Sequence, residues 1–165
     1  MKLYIVRHAI AVAHGTPGFE EDKRPLTEEG IDKMRRAAKG LRRLAVLPDA
    51  ILCSPLPRAR QTAEILNEEL VGETVIKLTD ALSPSGDRRE VYIQLQALRT
   101  LEQVMLVGHQ PSLGEIAGEI AWGSPEHYVE LKKGGACRLD IVTLRPKPRG
   151  ALLWIVTPSI LRSLA

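Results

Sequence analysis

Short apolar runs alternate along the chain with amphipathic stretches, which is the pattern of an α/β fold built in layers. The amphipathic stretches carry apolar residues at spacings of three or four, as in the segment from Ile31 to Ala45 that follows the helix-capping residue Thr27. The predicted strands of the first two thirds of the chain are Leu3–Val6, Asp49–Cys53, Thr74–Leu78 and Val104–Val107.

The segments between these strands predict the helices and loops. A polar loop from Ala11 to Pro25 contains glycine, proline and an acidic cluster, all typical of an irregular connection. The last third predicts a hairpin at one edge of the sheet and a short helix after Pro158. The further predicted helices are Pro57–Leu70, the segment carrying Val91, Leu95, Leu98 and Leu101, and Pro111–Ala121; the hairpin strands are Ala136–Leu144 and Ala151–Val156.

Length and composition are those of an ordinary globular domain. The chain has 165 residues, of which 44% are hydrophobic and 26% charged, and it contains no repeat or linker, so we expect one domain spanning residues 1–165. No apolar run is long enough for a signal peptide or a membrane span, and the two cysteines lack metal-ligand spacing. These features predict a cytoplasmic protein that does not contact the membrane and keeps its cysteines reduced. Cys53 follows an apolar run, so we expect it to be a buried free thiol.

The basic charge balance does not by itself identify a partner. The formal net charge is +3, and much of the excess lies on one face of the first helix, between Lys33 and Arg43. Nucleic-acid surfaces usually combine such charge with aromatic side chains for base stacking, and this helix has none. We therefore interpret the basic face as solvated and expect no nucleic-acid partner.

Candidate chemistry follows three of the predicted strands. The first strand ends in Arg7-His8, the second is followed by Ser54-Pro55-Leu56-Pro57-Arg58, and the fourth ends in Gly108-His109. Ligands of open parallel sheets bind beyond the carboxyl ends of the strands, so these side chains should form one cationic pocket. Arginine offers paired donors to phosphoryl oxygens and histidine can donate, accept or attack, which together favour a phosphate site. Each residue alone would be unremarkable; their joint placement carries the prediction.

Three motifs resemble the signatures of the histidine phosphatase superfamily. They are Val6-Arg7-His8, the string Ser54-Pro55-Leu56-Pro57-Arg58-Ala59-Arg60-Gln61-Thr62-Ala63, and Val107-Gly108-His109-Gln110-Pro111. Two further segments, beginning at Arg24-Pro25-Leu26-Thr27 and at Leu82-Ser83-Pro84, make the chain most similar to the SixA-type phosphohistidine phosphatases. The resemblance implies a three-layer sandwich of the phosphoglycerate mutase type, with a mostly parallel central sheet flanked by helices.

The resemblance also implies roles for individual residues. His8 would be the nucleophile that becomes transiently phosphorylated, and Arg7, Arg58 and His109 would bind the phosphoryl oxygens. Apart from the resemblance, we expect Arg24 to contact the substrate protein or the rim of the pocket, with solvation at a helix start as an equal alternative. The family needs no metal or other cofactor, and we expect none here. Ala9 replaces a glycine that often follows the nucleophile.

The absence of a general-acid glutamate narrows the range of expected substrates. Many members of the superfamily carry a glutamate general acid in the segment where this chain has Ser83 and Pro84. An alcohol leaving group needs such a proton donor, whereas a protonated phosphoimidazole leaves as a neutral ring. This favours protein phosphohistidine as the substrate, with Asp80 and Asp87 as less favoured proton donors.

Two alternative functions remain open from the sequence. One is a phosphatase acting on small phosphorylated molecules with the same nucleophile, and the other is a catalytically silent phospho-binding module. The partner would accordingly be a phosphorylated protein, such as a phosphotransfer domain or carrier, or a small phosphorylated molecule. A monomer is the default expectation, since the sequence does not determine the oligomeric state.

Overall fold

Six strands form one sheet in the computed structural model, which describes residues 1–165. The order across the sheet is β3-β2-β4-β1-β5-β6, so β1 and β4 lie at its centre. The strands are β1 (Lys2–Arg7), β2 (Ala50–Cys53), β3 (Val75–Leu78), β4 (Gln103–Gly108), β5 (Ala136–Thr143) and β6 (Arg149–Val156). The first four in chain order pair in parallel, and β5 and β6 add the predicted antiparallel hairpin at one edge.

Helices cover both faces of this sheet. They are α1 (Glu28–Arg43), α2 (Pro57–Leu70), α3 (Arg88–Ala97), α4 (Ser112–Trp122) and α5 (Pro158–Ser163). Buried residues of α1, α2 and α5 form one apolar cluster with the sheet, and those of α3 and α4 form a second cluster on the other face. The three-layer α/β architecture that the resemblance implies is confirmed.

The side chains of β1 alternate between the two apolar clusters. Tyr4 and Val6 lie in the cluster beneath α1 and α2, whereas Leu3 and Ile5 lie in the cluster beneath α3 and α4. All four side chains are almost fully buried, because successive residues of a central strand point to opposite covered faces. The continuous apolar run that predicted this strand is therefore the result of burial on both sides.

Strand register brings the motif residues to one edge of the sheet. Arg7 pairs with Gly108 at the ends of β1 and β4, and Cys53 pairs with Val107 between β2 and β4. The residue that follows each strand, His8, Ser54 or His109 in turn, therefore emerges at the same edge. The spatial convergence predicted for the three strand ends follows from this register.

Several predicted boundaries are wrong by a few residues. The apolar stripe of α1 was expected to reach Ala45, but the helix ends at Arg43 and Ala45 has a positive φ of 57° beyond its end. Thr74 lies outside β3, and Leu101 lies outside α3. In each case an apolar or β-branched residue close to the element continues the sequence pattern without belonging to the element.

Two further features of the fold concern the cysteines and the character of the helices. Both cysteines are buried free thiols, which confirms the prediction for Cys53, and burial raises the pKa of each to about 12. No helix combines the length and the apolar character that crossing a bilayer would require.

Candidate active site

The four predicted pocket residues converge at the central strand ends. The imidazole rings of His8 and His109 lie 5.2 Å apart between centroids, tilted by 53°. Both rings feel the positive charges of Arg7 and Arg58, which contribute to lowering their pKa values. The structure thus assembles one cationic pocket from residues distant in sequence, as the strand-end argument predicts.

His8 is held in a single tautomer. Its Nδ1 lies 2.7 Å from the carbonyl oxygen of Ala9, and because a carbonyl only accepts, Nδ1 must carry the proton. Nε2 therefore holds the free electron pair. Burial, with smaller effects from Arg58 and Arg7, lowers the pKa of His8 to about 4, so the ring is neutral at physiological pH. A neutral ring with an unprotonated Nε2 is the state that a histidine nucleophile requires.

His109 is also buried and neutral, but its hydrogen bond to the protein involves Nε2, whereas that of His8 involves Nδ1. Its Nε2 lies 2.8 Å from Ser54 Oγ, and Nδ1 has no protein partner. Burial first, and then the neighbouring His8 and Arg58, lower the pKa of His109 to about 3. Ser54 Oγ also accepts a hydrogen bond from the backbone N–H of Leu56, which leaves its own hydroxyl proton for Nε2.

The two arginines are each anchored by one hydrogen bond to a backbone carbonyl. Arg7 donates through a terminal nitrogen to Leu131, at 2.9 Å, and Arg58 donates in the same way to Glu21, at 3.1 Å. The Nε atoms of both guanidinium groups are buried without a protein partner. Burial lowers the pKa of both side chains, yet an arginine in a protein stays charged. Each therefore keeps donors available for an anion.

Backbone and hydroxyl contacts fix the position of the chain segment around His8, at the end of β1. The Thr62 hydroxyl donates to the carbonyl of Arg58 and accepts from the N–H of Ala9, which ties the end of β1 to the start of α2. On the other side, the N–H of Gly134 lies 3.1 Å from the carbonyl oxygens of both Arg7 and His8. Gly134 has a φ of 77°, a conformation that favours glycine. These contacts explain the glycine at position 134, just before β5.

Arg24 lies at the pocket rim rather than in solvent. Its side chain is 12% exposed, donates to the carbonyl of Val12 and forms an ion pair with Glu21. Its charge contributes to lowering the pKa values of His109 and Arg58. The rim alternative for Arg24 is therefore the one that the geometry supports, and its contact with substrate stays a prediction.

Glu21 organises the loop between β1 and α1. Its carboxylate contacts Arg24, His14 and, at 3.9 Å, Arg58. Hydrogen bonds from Arg24 and then from His14 lower its pKa to about 2, so it is an anion near the pocket and not a proton donor. The sequence shows Glu21 only as part of an acidic cluster in a loop, with no pattern that indicates this role.

Other side chains that the sequence singled out lie away from the pocket or serve local structure. Asp87 caps α3 by accepting from the N–H of Arg89, and Asp80 begins a short 3-10 helix. His14 and His127 are exposed. Sequence reasoning missed the roles of Ser54 and Thr62, although both lie inside the quoted motif.

Comparison with known proteins agrees with this geometry. Residues 3–83 match the family model of the histidine phosphatase superfamily, branch 1. An uncharacterized protein of Picosynechococcus sp. is 39% identical over 137 residues, covering 82% of each chain. Phosphohistidine phosphatase SixA of Escherichia coli is 28% identical over 165 residues, covering 98% of this chain and 97% of that protein.

A solved structure extends the similarity to the whole fold. The protein histidine phosphatase SixA in complex with tungstate superposes with a TM-score of 0.85 at 26% identity, covering 98% of this chain and 99% of that one. Sequence motifs, strand order and pocket thus agree with one another, and the chain belongs to the histidine phosphatase superfamily as a SixA-type phosphatase.

Proposed function

We propose that this protein removes the phosphoryl group from phosphohistidine on a partner protein, with His8 as the nucleophile. One observation carries the proposal: three buried nitrogens without protein partners, Arg7 Nε, Arg58 Nε and His109 Nδ1, belong to side chains that surround a neutral His8. Buried donors of this kind are rare unless a ligand uses them. A phosphoryl group offers three acceptor oxygens, and the similar SixA structure holds tungstate, another tetrahedral oxyanion.

In the first step, Nε2 of His8 attacks phosphorus in line with the scissile P–N bond. The bonding pair goes to the leaving nitrogen, and because the other nitrogen of the substrate ring is already protonated, a neutral imidazole leaves. Nδ1 of His8 keeps its proton on the Ala9 carbonyl, so the phosphorylated His8 is an imidazolium. Arg7 and Arg58 stabilise the charge on the equatorial oxygens.

In the second step, water attacks the phosphorus of phospho-His8. The P–N pair returns to Nε2, which restores the neutral ring, and the water protons remain on the dihydrogen phosphate that forms. Neither step requires a proton from an external acid. This matches a site in which Glu21, the carboxylate 3.9 Å from Arg58, has a pKa of about 2 and cannot donate.

Phosphomonoesters of small molecules are the competing substrates. An alkoxide leaving group needs a proton donor, and general acid catalysis contributes about 10²–10⁴-fold where it operates. We therefore expect esters to be hydrolysed slower than phosphohistidine by about that factor. The comparison requires kcat/KM for a phosphohistidine peptide and for sugar phosphates, measured with the same enzyme preparation.

The test of the nucleophile is His8→Ala, with the exposed His127→Ala as the matched control. His8→Ala should abolish both turnover and the acid-labile phosphoenzyme while leaving the circular dichroism spectrum unchanged. His127→Ala should retain both activities. Wild-type turnover in His8→Ala, or an ester preference in the wild-type enzyme, would refute the proposal.

A further inference from the structure

A separate cavity adjoins the chain directly after His8. It has a volume of about 170 Å³ and lies between the chain after β1, the first half of α1, the loop before β5 and α5. Ala9 lines it, directly after His8, and so does Gly134, whose N–H bridges the carbonyls of Arg7 and His8. We refer to it as the side cavity.

The side cavity has an apolar floor and a basic mouth. Ala9, Met34 and Ala37 are buried in its floor, and the only charged residues that line it are Lys33, Lys133 and Arg162. No carboxylate lines it. The charged side chains that line it are therefore all cationic, next to a pocket that is itself cationic.

Two of the three cations have no partner within the protein. Lys33 forms an ion pair with Glu29, but neither Lys133 nor Arg162 takes part in any ion pair. Lys133 is also close enough to His8 to contribute to lowering the pKa of that ring. Uncompensated like charges repel one another, so this cluster is suited to an anionic partner.

The volume decides the size of the occupant. Pockets for cofactors and drug-sized ligands have volumes of about 300–1,000 Å³, whereas a cavity of about 150 Å³ takes a group no larger than benzene. A volume of about 170 Å³ therefore fits one side chain. Gly134 contributes to the space, since a Cβ there would lie 3.5 Å from Met34 Sδ and 3.7 Å from Pro158 Cβ.

We propose that the side cavity receives an acidic side chain of the phosphoprotein substrate, next to its phosphohistidine. The methylene groups of a glutamate would cover the apolar floor while its carboxylate meets Lys133 and Arg162. This inference rests on the proposed function and deepens it, because the cavity selects phosphohistidine sites that have an acidic neighbour. The catalytic pocket supplies the chemistry, and the side cavity supplies specificity.

The experiment uses three phosphohistidine peptides that differ only in the residues flanking the phosphohistidine: glutamate, glutamine or lysine. Arg162→Glu reverses one charge at the cavity mouth. Lys147→Glu makes the same charge change at the exposed β5–β6 turn, at the opposite end of the sheet, and is the matched control. The readout is the ratio of kcat/KM values for the glutamate and lysine peptides, measured at low and high salt.

The wild-type ratio should favour the glutamate peptide by about tenfold at low salt and fall as salt is added. Arg162→Glu should bring the ratio to one or below, with the lysine peptide gaining activity, whereas Lys147→Glu should keep the wild-type ratio. Gain on the lysine peptide is decisive, because a variant that merely disturbs the structure loses activity on every peptide.

The contrary outcomes are separable. Equal hydrolysis of all three peptides by the wild-type enzyme, or equal effects of Arg162→Glu and Lys147→Glu, would overturn the side-cavity proposal while leaving the proposed function intact. Failure to hydrolyse any phosphohistidine peptide, with turnover of phosphomonoesters, would overturn the proposed function and this inference with it. Competition by an RNA oligonucleotide that Arg162→Glu relieves would assign the cavity to another partner and also overturn it.

Discussion

Acidification should destabilise this protein steeply, because His8 and His109 are buried as neutral rings. Their pKa values in the folded state are about 4 and about 3, against 6.5 for an unperturbed histidine. The unfolded chain therefore takes up protons on these residues first as the pH falls. The stability that the neutral rings maintain is complete above pH 6.5 and is lost as the pH falls from there towards the folded pKa values.

The size of the loss follows from linkage. Between pH 7 and pH 5 each histidine should lower the free energy of unfolding by about 2 kcal/mol, hence about 4 kcal/mol for the pair. Near pH 5.5 the slope approaches about 2.7 kcal/mol per pH unit, the value for two protons. A domain whose total stability is about 5–15 kcal/mol would lose a large part of it.

Urea unfolding at pH 7, 6 and 5, followed by tryptophan fluorescence, measures this slope. His8→Ala should reduce the pH-dependent loss by about half, and the double variant with His109→Ala should remove most of it. His127→Ala should leave the slope unchanged, because that ring is exposed. Equal slopes in the wild-type protein and in the double variant would refute the assignment of two buried neutral histidines.

Three further predictions concern individual contacts. Ser54→Ala removes the partner of the second histidine and should lower kcat on a phosphohistidine peptide by about tenfold, with an unchanged fold; an unchanged kcat would contradict the role of the hydroxyl. Gly40→Ala places a Cβ against the Leu161 carbonyl oxygen, closer than van der Waals contact allows, and should destabilise the protein by about 1–3 kcal/mol in thermal unfolding, whereas Lys39→Ala should not. Equal melting temperatures would be inconsistent with close α1–α5 packing. Arg58→Lys keeps the charge but loses the planar fork, so calorimetry should show tungstate affinity falling by about tenfold or more; retained affinity would argue against a guanidinium-specific contact.

The fold and the convergence of the four pocket residues were predictable from sequence for a physical reason. Apolar runs mark parallel strands whose ends share an edge, and the chemistry-bearing residues follow those runs directly, as His8 follows β1. Because β1 and β4 pair in parallel with Arg7 opposite Gly108, the residues that follow, His8 and His109, lie side by side. The failure at Ala45 has an equally simple origin, since one more apolar residue does not show that the helix has ended.

Contacts that depend on loop conformation were not predictable. Glu21 reaches Arg24 and Arg58 only because the loop after β1 folds back over the start of α2. The side cavity likewise combines α1, the loop before β5 and α5, for example through Lys33, Lys133 and Arg162, which no local pattern connects. The charge state of His109 was not predictable from sequence either, because it depends on the burial that the whole fold produces.

A neutral His109 fits the proposed catalytic cycle better than a protonated His109 would. If the Ser54 hydroxyl donates to Nε2, a neutral His109 carries its proton on Nδ1, the atom without a protein partner, and can donate it to a phosphoryl oxygen. His8 carries its proton on Nδ1 as well, held by the Ala9 carbonyl, which leaves its Nε2 free to attack. One ring is thus a donor and the other a nucleophile, although both are neutral. Burial beside the arginines keeps them neutral, so the positive charge that the transition state needs comes from Arg7 and Arg58, which do not titrate in the working pH range.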